Sequence, residues 1–118
     1  MKLNLLFSLL CLMYCQTGYG QLQRLQTSGK LNFLRVHDVG TRYGPPTDQL
    51  DVEVIIKFSG NAQKSYGFKL RDDTNRLSHQ GMLDLLRDAF NYNHTVTIDY
   101  DVEPGKNNGT IMRVWLTR

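Results

Sequence analysis

The residue types that could do chemistry in this chain fall into a few short groups. Asp99, Asp101 and Glu103 recur at every second position ahead of Pro104-Gly105-Lys106-Asn107-Asn108-Gly109, which places three carboxylates on one face of a strand. A calcium loop needs glycine where Pro104 stands and a closing glutamate at its twelfth place, and this segment has neither. The carboxylates are therefore expected on a solvated outer face, paired with Arg113 or a lysine. His37, His79 and His94 stand alone, with no HExxH and no spacing that would build a metal cage, so neither a metal nor a cofactor is expected. Ser59, Ser65 and Ser78 occupy turn, strand-start and helix-cap contexts rather than a GxSxG elbow. Both cysteines, Cys11 and Cys15, lie in the first twenty residues, so the rest of the chain holds no thiol nucleophile. These patterns predict a protein that is not an enzyme.

Two groups could bind rather than react. In Thr41-Arg42-Tyr43-Gly44-Pro45-Pro46 the prolines stiffen the backbone, so Arg42 and Tyr43 would meet a ligand at little ordering cost. Tyrosine can stack on a sugar ring or a base, and arginine can fork onto a carboxylate. The competing structural role is a rigid connection with Tyr43 folded over a barrel mouth. Arg113 beside Trp115 forms the second candidate, as a binding platform, a subunit interface or a patch under the N-terminal arm. Asn93-His94-Thr95 and Asn108-Gly109-Thr110 have the form of glycosylation sequons, and both are expected bare.

The elements that must position these residues follow from patterning. Residues 1–20 read as a secretory signal peptide: Lys2, then an apolar run from Leu3 to Cys15, then small residues at Gly18 and Gly20. The run is too short to span a bilayer. A secreted or periplasmic protein is expected, with no membrane span after cleavage. The remaining 98 residues contain no cysteine and carry a charge of +2 once Lys2 is gone, too weak to predict nucleic-acid binding. Residues 21–28 lack clear period and are expected as a flexible N-terminal arm, followed by one domain over 29–118.

Strand patterns then cover KLNFLRVHDV, Asp51 to Phe58 and Ser65 to Leu70, separated by the loop from Asp38 to Gln49 and a turn at Ser59 to Ala62. Ser78 to Phe90 is the single helical pattern, with Met82, Leu85, Leu86, Ala89 and Phe90 on one stripe and Ser78 as N-cap. Asn91 to Asn93 offer a left-handed stop. Val96 to Val102 alternates, and in the last strand Met112, Val114 and Leu116 share one face while Ile111, Arg113 and Trp115 share the other. The fold class is mainly β with one helix. The order predicts a five-stranded OB-fold Greek-key barrel with the helix between strands 3 and 4.

From Asp51 to Leu116, the hairpin DVEVIIKF…SYGFKL, the helix, and the pair TVTIDYDV…TIMRVWL resemble secreted OB-fold proteins that include the B subunits of bacterial toxins. The resemblance is one of architecture and lies nearest to an uncharacterised secreted group. It implies a ring-forming, glycan-binding relative, while the disulfide usual in those subunits has no counterpart here. The expected function is a non-catalytic binding module that recognises a carbohydrate or protein partner through the 38–49 loop and the barrel edge. The alternative is a structural subunit forming a homo-oligomer, and single-stranded nucleic-acid binding ranks third.

Overall fold

A computed structural model describes residues 23–118; the expected signal peptide and residues 21–22 lie outside the described residues. Among the described residues six strands and one helix follow in order: β1 (Gln23–Gly29), β2 (Leu31–Val36), β3 (Val54–Phe58), β4 (Asn61–Phe68), α1 (Arg76–Tyr92), β5 (Val96–Val102) and β6 (Gly109–Leu116). The strands form one sheet in the order β1-β5-β6-β4-β3-β2. Every pairing is antiparallel except β4 with β6, which run parallel through Tyr66↔Gly109 and Gly67↔Thr110. β1 and β2 do not pair with each other, so the sheet is not closed.

The count differs from the five strands expected, and the helix follows the fourth strand rather than the third. The extra strand is the segment expected as a flexible arm. Gln23–Gly29 pairs along its whole length with β5, from Gln23↔Val102 to Gly29↔Val96. Its pattern was faint because only Leu25 is a large apolar residue among these seven. The partner's backbone, rather than an apolar face of its own, holds it in place.

The core lies between the sheet and α1. Val54, Ile56, Phe68, Leu86, Ala89, Val96 and Ile98 are fully buried there. Aromatic rings fill part of this volume: Phe58 meets Tyr66 edge-on at 5.4 Å, and Tyr66 meets Tyr100 at 4.8 Å. Gly109 is required beside Tyr100, because a Cβ there would come within 2.6 Å of its ring. Burial, and after it the neighbouring Tyr100, push the Tyr66 phenol up to about 12. The unfolded phenol titrates near 10, so the folded state keeps its proton where the unfolded chain loses it. Stability from this group is whole below pH ~10 and is lost as pH rises towards ~12. An alkaline melting series should show that decline, and Tyr66→Phe should flatten it.

Helix α1 begins earlier than the sequence suggests. Asn75 is the N-cap and makes no side-chain cap bond, while Ser78 sits in the first turn and donates its hydroxyl to the Asn75 carbonyl at 3.0 Å. The stop is as expected: Asn93 adopts φ 56°, ψ 39°, in the left-handed region. Leu86 and Ala89 are buried, with Met82, Leu83 and Leu85 packed beside them. Phe90, expected on the buried stripe, instead stays 42% exposed.

A bulge corrects the last strand. The pairing shifts between Asp99↔Arg113 and Tyr100↔Ile111, leaving Met112 as the extra residue. Alternation therefore slips by one. Ile111 goes inside with Val114, and Met112 is turned out to solvent.

Candidate functional site

The loop joining β2 to β3 is tied down along its length. Tyr43 and Leu50 exchange backbone hydrogen bonds, with N–H to O distances of 2.9 and 2.7 Å. Asp48 Oδ1 accepts the amides of Asn107 and Asn108 from the β5–β6 turn, both at 2.9 Å. Buried Asn108 completes the clamp: its Nδ2 donates to the Asp48 carbonyl at 3.0 Å, and its Oδ1 accepts the Ser65 amide at 2.9 Å. Gly44, at φ 103°, passes so close that a Cβ would lie 2.7 Å from the Asp48 carbonyl. Lys106 adds a bond from Nζ to the Gln49 carbonyl at 3.1 Å. Two loops distant in sequence thus behave as one rigid rim.

That rim folds back over the outer face of β3 and β4 and buries a second small core of Leu50, Val52 and Ile55, with Phe33 and Tyr43 against it. Gly67 makes room for it, because a Cβ there would come within 2.5 Å of Val52 Cγ2. Glu53 anchors the loop's end. Nearly fully buried, it accepts the Leu70 amide at 3.1 Å and two Arg71 nitrogens at 2.7 and 2.9 Å. Arg71 also reaches Asp51 at 2.8 Å and holds that carboxyl below the usual carboxylate range. Alternation along Asp51 to Phe58 would turn Glu53 outward to solvent; instead it is buried within this network.

Arg42 and Tyr43 do not share a site. Arg42 turns into a cleft of about 440 Å³ whose floor includes Leu50, Val52, Phe68 and Ile111 and whose rim carries Lys69, Asp101 and Glu103. Its own φ is 58°, a left-handed conformation uncommon for arginine and held here by the tied loop. Charges of both signs line this cleft, and several are already paired, as Lys106 is with Glu103 at 3.0 Å. His79 borders it with its ring 5.5 Å from Phe68.

Tyr43 turns the other way, into a shallow hollow of about 270 Å³ with Pro45, Lys57, Gln63 and Ser65. Phe33 is its neighbour at 6.3 Å with the rings tilted by 47°. Lys57 Nζ lies 5.1 Å from the Phe33 centroid and 5.8 Å from that of Tyr43, and Arg35 Cζ is also 5.8 Å from Tyr43. Burial raises the Tyr43 phenol, but Lys57 and Ser65 at its oxygen, with the charge of Arg35, outweigh that and leave it lowered. Phe33, Arg35 and Lys57 were not singled out from sequence. The pairing Phe33↔Lys57 depends on a bulge after Leu31, which no local pattern marks.

Arg113 and Trp115 lie on the outer face of β6, away from these hollows. Arg113 pairs with Asp99 at 3.4 Å, and Gln26 donates to the other Asp99 oxygen at 3.0 Å. Trp115 is half-buried opposite Thr97. Among the described residues no three His, Cys, Asp or Glu side chains are grouped to hold a metal ion. Of the two sequons, Asn93 is exposed, whereas both amide atoms of Asn108 are engaged in the clamp.

No family model, no curated protein and no solved structure matches this chain.

Proposed function

We propose that the protein is a secreted, non-catalytic binding module built on an OB-fold barrel, recognising a carbohydrate or protein partner through the tied 38–49 loop. The barrel reading treats β1 and β2, separated only by Lys30, as one bent first strand. Five strands then remain, the first and last positions of the sheet order belong to the same strand, and the helix falls between the third and fourth. Export rests on the apolar leader with its small-residue cleavage region.

The observation that carries the binding role is the clamp of Asp48 and Asn108. It orders the loop before any partner arrives, so the entropy of fixing Tyr43 is already spent in folding. A glycan array followed by titration tests this. Tyr43→Ala is expected to weaken binding by at least about tenfold, as loss of a stacked aromatic anchor does. Unchanged binding by both Tyr43→Ala and Arg42→Ala would remove the loop from the site.

A homo-oligomer is the second reading. Ile111 is buried, but Met112 is 44% exposed beside Arg113 and Trp115. Light scattering that finds only monomer at high concentration removes it.

A further inference from the structure

Two cations converge on one aromatic face without a counter-ion. Lys57 and Arg35 both stand 5.8 Å from the Tyr43 ring centre, and Lys57 also lies 5.1 Å from that of Phe33. Among the described residues no carboxylate lies within 4.0 Å of either cation. Asp48 is the acidic residue lining the adjoining hollow, and its Oδ1 is occupied by two backbone amides. Stacking on the rings offsets part of the cost of holding two like charges together, and an anion set between them would offset the rest.

The rings complete the specification. They are tilted by 47°, forming a shallow angle rather than a stacking ladder for successive bases, and Pro45 walls the hollow at one end. A nucleic-acid strand needs a longer basic groove with several aligned aromatics. A single sugar ring needs one apolar face, polar groups at its edge and, if acidic, a cation. Ser65 and Gln63 line the hollow beside Lys57 and can supply the polar contacts.

We propose that this face binds an acidic saccharide, its ring laid on Tyr43 and Phe33 and its carboxylate or sulfate set between Lys57 and Arg35. The inference rests on the binding-module reading and names the ligand class of the same loop.

The test uses protein produced from the full-length chain. Calorimetric titration compares an oligogalacturonate, its fully methyl-esterified form, a sulfated oligosaccharide of equal length, and a single-stranded oligonucleotide. The acidic saccharides should bind at least about tenfold tighter than the neutral ester, since hydrogen bonds to charged groups contribute roughly 1.5–3 kcal/mol. Whether carboxylate or sulfate is preferred identifies the natural group. Lys57→Met keeps the packed stem, and Arg35→Gln alters an exposed side chain; each should remove most of that preference, whereas Lys64→Gln should leave it intact. Equal affinity for ester and acid, with binding still dependent on Tyr43, overturns the charge assignment and spares the binding module. Failure to bind any of these saccharides overturns this proposal and the carbohydrate half of the binding reading, leaving a protein as the module's partner. Tighter binding of the oligonucleotide than of either acidic saccharide also overturns the proposal.

Discussion

Leu86→Ala is expected to lower stability by about 2–5 kcal/mol, the range for deleting a fully buried leucine. Leu86 has no exposed surface and projects from α1 into the main cluster with Ala89 and Ile98. Truncation removes apolar area from burial and leaves a cavity that the surrounding strands cannot collapse to fill. For a domain near one hundred residues, that loss should lower the thermal midpoint by at least roughly 10 °C. Leu77, on the same helix but 87% exposed, provides the control. Leu77→Ala should change stability by no more than about 0.5 kcal/mol. Equal melting of the two variants would show that α1 does not plug the core.

Glu53→Ala is expected to cost about 3 kcal/mol, from a different source. The glutamate is 2% exposed and serves three donors, one of them the Leu70 amide. Its removal leaves that amide without an acceptor and leaves Arg71 held to the loop's end by Asp51 alone. Glu53→Gln keeps one acceptor oxygen, so it should recover part of the loss. Asp51→Ala, at the exposed end of the same arginine, should leave the midpoint close to that of the parent protein. Chemical denaturation of the three variants orders them directly; a Glu53→Ala midpoint matching that of Asp51→Ala would mean the buried pair contributes nothing. Because this pair fixes the loop that carries Tyr43, ligand affinity should fall with stability in Glu53→Ala.

Local patterning determined much of this protein. The helix, its apolar positions at Leu86 and Ala89, and its left-handed stop at Asn93 follow from period and residue type. So does the mainly β class, since each strand after Gly29 carries its own alternation and its own turn residues. The pairing of Asp99 with Arg113 was expected, but Asp99 is buried rather than solvated and also accepts a bond from Gln26.

The tertiary structure decided the rest, wherever the outcome depended on pairing between distant segments. Gln23–Gly29 is a strand because β5 offers it an edge. Ile111 and Met112 exchange places because of a bulge set by the opposite strand, and Phe33 meets Lys57 because of another. The separation of Arg42 from Tyr43, and the small core beneath the loop, arise from a clamp between Asp48 and Asn108, sixty residues apart. Sequence period reports what one segment prefers to bury; register, bulges and loop ties are properties of two segments at once, and only folding brings them together.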